Sequence, residues 1–252
     1  MIFTPDQREQ IRAELVATAQ GDPNLSGAAH TGSAASSRLD RWSDIDLALC
    51  LKPTASSEQI IAEWTERLYQ RYEAAAHVDV MRGSILFRVF LLKSTLQVDL
   101  AFWPAQDFAA IGPNFKLIFG ETRPSQPTPV PDPQALIGMA WLYALHVRSS
   151  LARGRFLQTE YMLSGMRNHV FELTCLRCGT IASQGRGLDD LPVAGQKTAA
   201  SCMPQSLEAS ELKRAFQTTM QALQREIGLL DADLAARLAE PLTDMADYSN
   251  RK

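Results

Sequence analysis

Asp44 and Asp46 flank a single isoleucine in the segment SDIDLALCL. Residues two apart on an extended chain project from the same side. If Asp44 to Leu51 forms a strand, as its apolar run predicts, Ile45 points inward and both carboxylates point out together. Like charges held that close repel, and each resists ionisation unless something neutralises them. A hard divalent cation does so best: Mg²⁺ takes oxygen ligands and is commonly held by one or two carboxylates together with substrate phosphate. Upstream stands Gly32-Ser33. The glycine lets backbone approach a ligand closely, and the serine offers a hydroxyl and an amide to phosphate oxygens. A short helix beginning over Ala34 to Ser37 would add its amide field for an anion. Downstream, Asp99 sits in LQVDLAF with Val98 and Leu100 on the other face. A third carboxylate on a neighbouring strand could complete a metal cluster or accept the proton of an attacking hydroxyl. Gly-Ser pairs, Asp-apolar-Asp and isolated strand aspartates are each common. Their order, with ten residues between Ser33 and Asp44, gives them weight together.

Other candidates are weaker. Along TEYMLSGMRNHVFEL, Glu160 and Arg167 are seven apart and share a helix face, with Ser164 between them and Asn168 next door. This polar stripe interrupts an otherwise apolar helix. Asp107 lies just past the strand that carries Asp99. From Arg148 to Arg186 six arginines face two acids, and as a group they fit the stabilisation of a triphosphate. Gly185 and Gly187 lack the lysine and hydroxyl of a phosphate loop. Cys175 and Cys178, three apart on an apolar helix with no second pair, read as core thiols. Trp42 is placed to cover the Gly-Ser loop.

The elements that must hold these groups are legible in outline. Thr4, Pro5 and Gln7 make a capping box that opens a helix to about Gln20. A short apolar segment, Leu25 to His30, leads to the Gly-Ser loop. The strand Asp44–Leu51, a helix from about Ser57 to Ala76 and β-prone runs at His77–Arg82, Ile85–Leu92 and Thr95–Phe102 follow. Only Lys93 and Ser94 separate the last two, which predicts a hairpin. Five of the 13 prolines then fall between Pro124 and Pro133. Such a run neither continues a helix nor sits inside a sheet. Beyond it the pattern is helical: from Pro133, capped by Asp132; about Phe156 to Ser183; about Ser206 to Leu230; and from Asp231, with Pro241 expected to kink or break the last. The fold class is therefore α+β, a small mixed sheet domain (residues 1–123), a proline-rich linker (124–133) and an all-α bundle (134–252).

The chain has 252 residues, 46% hydrophobic and 21% charged, which excludes a disordered or fibrous protein. Its net charge is −3, with the acidic excess entirely before Pro124, and this counts against a nucleic-acid partner. No apolar run approaches a membrane span, the first residues carry no apolar leader, and four scattered cysteines need no oxidising compartment, so a soluble, cytoplasmic protein is expected.

Over residues 25 to 105 the motif resembles the active site of the polymerase-β-like nucleotidyltransferase superfamily: Gly-Ser, a spacer, Asp-apolar-Asp and a later acid. In layout the whole chain is similar to small antibiotic nucleotidyltransferases, above all those acting on lincosamides. The second glycine that many members carry in the spacer is missing here. The resemblance implies that Gly32 and Ser33 hold a triphosphate, that Asp44 and Asp46 bind Mg²⁺, and that Asp99 is a third ligand or a base. It further implies two ions, ATP or another nucleoside triphosphate as co-substrate, and a small hydroxyl-bearing acceptor such as an antibiotic, bound in a cleft between the domains. Some such enzymes take a base from outside the cluster, which makes Glu160 a catalytic candidate and Asp107, Arg167 and Asn168 substrate-binding candidates. Nucleotidylation of tRNA or a protein hydroxyl, and a non-catalytic nucleotide-binding module, are the alternatives.

Overall fold

A computed structural model of the chain describes residues 2–36, 39–111, 114–127 and 130–247. They form two compact units, Met1–Pro129 and Val130–Lys252.

In the first unit α1 (Pro5–Gly21) starts where the capping box lies: Gln7 N–H donates to Thr4 Oγ at 3.2 Å and Thr4 N–H to Gln7 Oε1 at 2.9 Å. Then follow β1 (Leu25–Thr31), the single turn α2 (Gly32–Ala35), β2 (Ile45–Leu51), α3 (Ser57–Tyr72), β3 (Ala74–Arg82), β4 (Ile85–Leu92), β5 (Gln97–Pro104), β6 (Ala109–Ile111), β7 (Phe115–Phe119) and β8 (Arg123–Gln126). Six strands make one mixed sheet in the order β3-β4-β5-β2-β1-β7, in which β2 and β5 run parallel and the other neighbours antiparallel. The expected hairpin joins β4 to β5, with Thr95 taking the left-handed conformation (φ 66°) in its turn.

Several expectations need correction here. The helix predicted to reach Ala76 stops at Tyr72, because Glu73 turns left-handed (φ 54°) and its N–H closes on Leu68 O. Ala74 to Ala76 go to β3 instead. The strands β6, β7 and β8 lie where no element was expected, and β8 takes the first residues of the stretch read as linker, pairing parallel with β6. Ser37, assigned to a short helix, and residues 128 and 129 of the linker lie outside the described residues.

One face of the sheet presents Ile45, Leu47, Leu49, Phe90, Val98, Leu100 and Phe102 to Leu15 and Ala19 of α1 and to Ile60, Trp64 and Leu68 of α3. The other face carries a smaller apolar cluster, Ala29, Ala48, Cys50, Ala101, Trp103 and Phe108. β2 is thus covered on both sides after its first turn of pleat, which explains why its sequence runs apolar without alternation. Asp46 is the polar exception.

Among its described residues the second unit has helices and no strand: α4 (Pro133–Ala152), α5 (Phe156–Cys178), α6 (Val193–Ser201), α7 (Ala209–Leu230) and α8 (Ala232–Ala246), with one 3-10 turn at Ser183–Gly185. Leu136, Ala140, Ala144, Leu163, Met166, Phe216, Met220 and Leu223 fill its centre. α5 ends five residues before the expected Ser183 because Gly179 adopts φ 70° and caps it. α6 was not anticipated. Pro241 does not break α8, which continues to Ala246 and buries Leu242 and Met245 beyond it. No helix among the described residues is long and apolar enough to cross a membrane.

Trp64 is 1% exposed and its indole N–H donates to Asp22 Oδ2 at 2.9 Å, tying α3 to the end of α1. Trp64→Ala should destabilise the first unit by about 3–5 kcal/mol, through cavity formation and a stranded carboxylate. Urea denaturation measures this, and a loss below about 1 kcal/mol contradicts the packing described.

Candidate functional site

The parallel pairing of β2 with β5 sets Asp46 directly opposite Asp99, on the sheet face away from α1 and α3. Asp44 lies just before β2. One carboxylate oxygen from each of Asp44, Asp46 and Asp99 comes within 4.8 Å of the others, and all three residues are half-buried. The three acids selected from sequence therefore converge. Gln97, at the start of β5 and on the same face as Asp99, donates its amide to Asp99 Oδ1 (3.0 Å) and Asp44 Oδ2 (3.4 Å). Burial pushes the Asp99 carboxyl up from 3.8 to about 6, the Gln97 hydrogen bond opposes this, and the Asp44 charge adds to it. A cluster made only of carboxylate oxygens, one of them resisting ionisation, is a donor set suited to a hard divalent cation.

The loop that faces the cluster is shaped by backbone conformation. Gly32 has φ +58°, and a Cβ placed there would overlap the Asp46 carboxylate. Glycine is thus required twice, for the left-handed turn and for the close approach. Ser33 follows in α2, and its Oγ is buried without a hydrogen-bond partner among the described residues. A buried hydroxyl rarely goes unpaired in a finished site, so this atom fits one that a ligand completes.

The approach to Asp44 is held by a tight turn. Asp40 Oδ1 accepts from Trp42 N–H (2.7 Å) and Ser43 Oγ (3.1 Å), while Asp40 N–H donates to Ser43 Oγ (2.9 Å). These bonds, the Trp42 amide foremost, keep the Asp40 carboxyl below its ordinary range. Arg8, buried on α1, donates to Asp40 O (2.5 Å) and Ser43 O (3.1 Å) and so clamps the turn from the far side. Trp42, expected to cover the loop, is 69% exposed with the Arg41 guanidinium over its ring.

Sequence reasoning missed Arg8 and Gln97. Gln97 could have been found, being two before Asp99 on one strand. Arg8 carries no local signal, since its partners lie 32 and 35 residues away.

The remaining candidates are placed elsewhere. Asp107 follows the far end of β5, about 16 Å of strand beyond Asp99 at ~3.3 Å per residue, and accepts from Ser84 Oγ at 2.6 Å. It is not part of the cluster. Glu160, Arg167 and Asn168 belong to the second unit. Arg167 is buried and donates to Glu160 Oε1 at 2.7 Å, so the polar stripe on α5 is an ion pair within one helix. Asn168 borders a cavity of ≈ 290 Å³ with Phe171, Glu172 and Gln184.

No protein-family model and no curated protein matches the chain. Among solved structures, an aminoglycoside 6-adenyltransferase from Bacillus subtilis is similar over 95% of this chain and 98% of its own, at 12% identity and TM-score 0.42. A poly(U) polymerase solved with Mg and 3′-dATP aligns with 40% of this chain and 32% of its own, at 19% identity and TM-score 0.31. The polymerase core of an RNA surveillance complex aligns with 87% of this chain and 60% of its own, at 13% identity and TM-score 0.31.

Two outcomes test the geometry. Gly32→Ala should weaken Mn²⁺ binding, followed by calorimetry, about 10–100-fold by displacing Asp46; unchanged affinity would contradict the close approach. Because the Asp99 carboxyl titrates higher in the folded protein, the folded chain holds that proton between about pH 4 and 6, and the Asp99 contribution to metal-free stability slopes downward as pH rises through that window. Asp99→Asn should remove that slope and raise stability at pH 7 by about 1–2 kcal/mol, solvent screening having reduced the full effect. Thermal unfolding in chelator across pH reads both.

Proposed function

We propose that the chain is a Mg²⁺-dependent nucleotidyltransferase of the polymerase-β-like superfamily. It moves a nucleoside monophosphate, AMP from ATP, onto a hydroxyl of a small acceptor with release of pyrophosphate. The observation that carries this reading is the convergence of Asp44, Asp46 and Asp99 beside the left-handed Gly32 and the unpartnered Ser33 hydroxyl.

Asp44 and Asp46, with Asp99, would hold divalent ions, which would supply charge neutralisation for the triphosphate and lower the barrier to deprotonating the acceptor. Gly32 lets phosphate oxygens approach the backbone, and Ser33 donates its hydroxyl to one of them. Asp99 is the third ligand or the group that takes the acceptor proton; its raised carboxyl belongs to the metal-free cluster, and a bound cation would lower it. The acceptor oxygen forms its bond to the α-phosphorus in line as the bond to the bridging oxygen breaks, and pyrophosphate leaves with that electron pair. Glu160 keeps a place as a base from outside the cluster, although its carboxylate is already engaged by Arg167. The net charge of −3 favours a small acceptor over RNA. An aminoglycoside or lincosamide antibiotic, met in the cytoplasm, is the class to try first.

The test is incubation with ATP, Mg²⁺ and a panel of such antibiotics, reading pyrophosphate and the mass gain of the acceptor. Asp44→Asn and Asp46→Asn should abolish turnover while retaining the fold, and Asp44→Asn also relieves repulsion within the cluster. Turnover within about twofold of wild type would end the assignment.

A further inference from the structure

The sheet ends on β3, whose outer edge pairs with no strand among the described residues. Eight of its nine residues are exposed, and neither lysine nor proline protects the edge. Ala76, Val78 and Val80 project from the acid-bearing face, because Val78 is opposite Val89 and Val89 opposite Asp99. His77 and Asp79 project from the helix-bearing face, where Tyr69 hydroxyl meets His77 Nδ1 and Arg88 donates to both Asp79 oxygens. Val78 is 58% exposed and Val80 43%, beside an apolar depression of ≈ 210 Å³ lined by Ala76, Val78, Val89 and Leu91. Such an edge is a template for another strand.

We infer that β3 is a homodimer interface in which two copies of this chain pair antiparallel about a two-fold axis at Val78, joining their sheets edge to edge.

The sequence of β3 selects both the occupant and the register. An antiparallel strand pairing with itself places residue n opposite its mirror about the axis. With the axis at Val78, each His77 meets Asp79 of the other copy, a complementary pair on the helix-bearing face. An axis at Asp79 would oppose two carboxylates, and an axis at His77 would oppose two imidazoles. On the other face Val78 meets Val78, and each Val80 lies against the other copy's Ala76, at the mouth of the apolar depression. The exposed valines are thereby covered by the residues that the symmetry presents. Because the two-fold axis is perpendicular to the sheet, both acid clusters remain on one continuous face. The inference does not depend on the proposed reaction.

Light scattering on the full chain should give the mass of two 27.8 kDa chains, and Val78→Lys should give one, with the circular dichroism spectrum unchanged and the concentration dependence of melting lost. Val78→Cys provides an independent reading. The axis brings the two Cα atoms to about 4.5–5.5 Å, inside disulfide range, so mild oxidation should produce a covalent dimer on a non-reducing gel. The substitution is made in a Cys178→Ser background, since Cys178 is half-buried while Cys50, Cys175 and Cys202 are buried, and that background alone should not form the covalent dimer. Val80→Cys, whose opposite residue is Ala76, should cross-link far less. A wild-type monomer at every concentration, a dimer that survives Val78→Lys, or failure of Val78→Cys to cross-link each overturns the inference.

Discussion

Three carboxylates within reach of one cation repel one another in its absence, and the first unit is arranged to hold them together regardless. The parallel pairing of β2 and β5 carries most of that burden, since it fixes Asp46 against Asp99 through a register that seven consecutive residue pairs share. Slipping the register by one would turn Asp46 and Ala48 toward α1 and α3 and expel Ile45, Leu47 and Leu49 from the core. Burial of those apolar chains therefore keeps the acids in place. Burial, to which the Asp44 charge adds, lets the Asp99 carboxyl hold its proton to about pH 6, and the Gln97 amide bonds to two of the three acids. A neutral donor spanning two carboxylates does part of what a cation does, without its charge.

The surrounding loop is adapted to the same cluster. Position 32 takes glycine because the chain turns left-handed there and because the Asp46 carboxylate occupies the space a side chain would need. Arg8 reaches from α1 to two carbonyls of the turn before Asp44, and its own charge is met by Glu9. Helix, turn and strand are thus linked through a single guanidinium, so the position of Asp44 depends on α1 as well as on β2. Preorganisation of this kind lets a site bind its ion without first ordering the residues that hold it.

Much of this was legible in the sequence. The acids were found because two of them are two residues apart and the third opens a later apolar run, and a period of two translates directly into a shared face. The helices α1 and α4 were found from their caps, Thr4 with Gln7 and Asp132 with Pro133. The errors have physical causes. Ala74 to Ala76 carry helix propensity, but Glu73 ends the helix with a left-handed turn that no glycine announces. Pro241 marks a break by propensity, yet Leu242 and Met245 have burial to gain if α8 continues, and tertiary packing prevails. β6 and β8 are too short to show a period. Asp107 was near Asp99 in number only, because a strand separates neighbours along the chain by its full length.

The helical unit calls for a different weighing of charge. Six arginines between Arg148 and Arg186 looked like a cationic surface for a triphosphate. Two of them are committed inside the unit: Arg167 to Glu160, and Arg177 to the buried Glu226, which also accepts from Thr174. Both pairs are well hydrogen-bonded, and removing either partner would strand a charge in a largely apolar bundle. These two guanidiniums are neutralised inside the unit, so the local excess available to a ligand is smaller than the sequence count implies. Arg148, Arg153, Arg155 and Arg186 carry no ion pair among the described residues. A run of like charges becomes a binding surface only to the extent that the fold leaves it unneutralised.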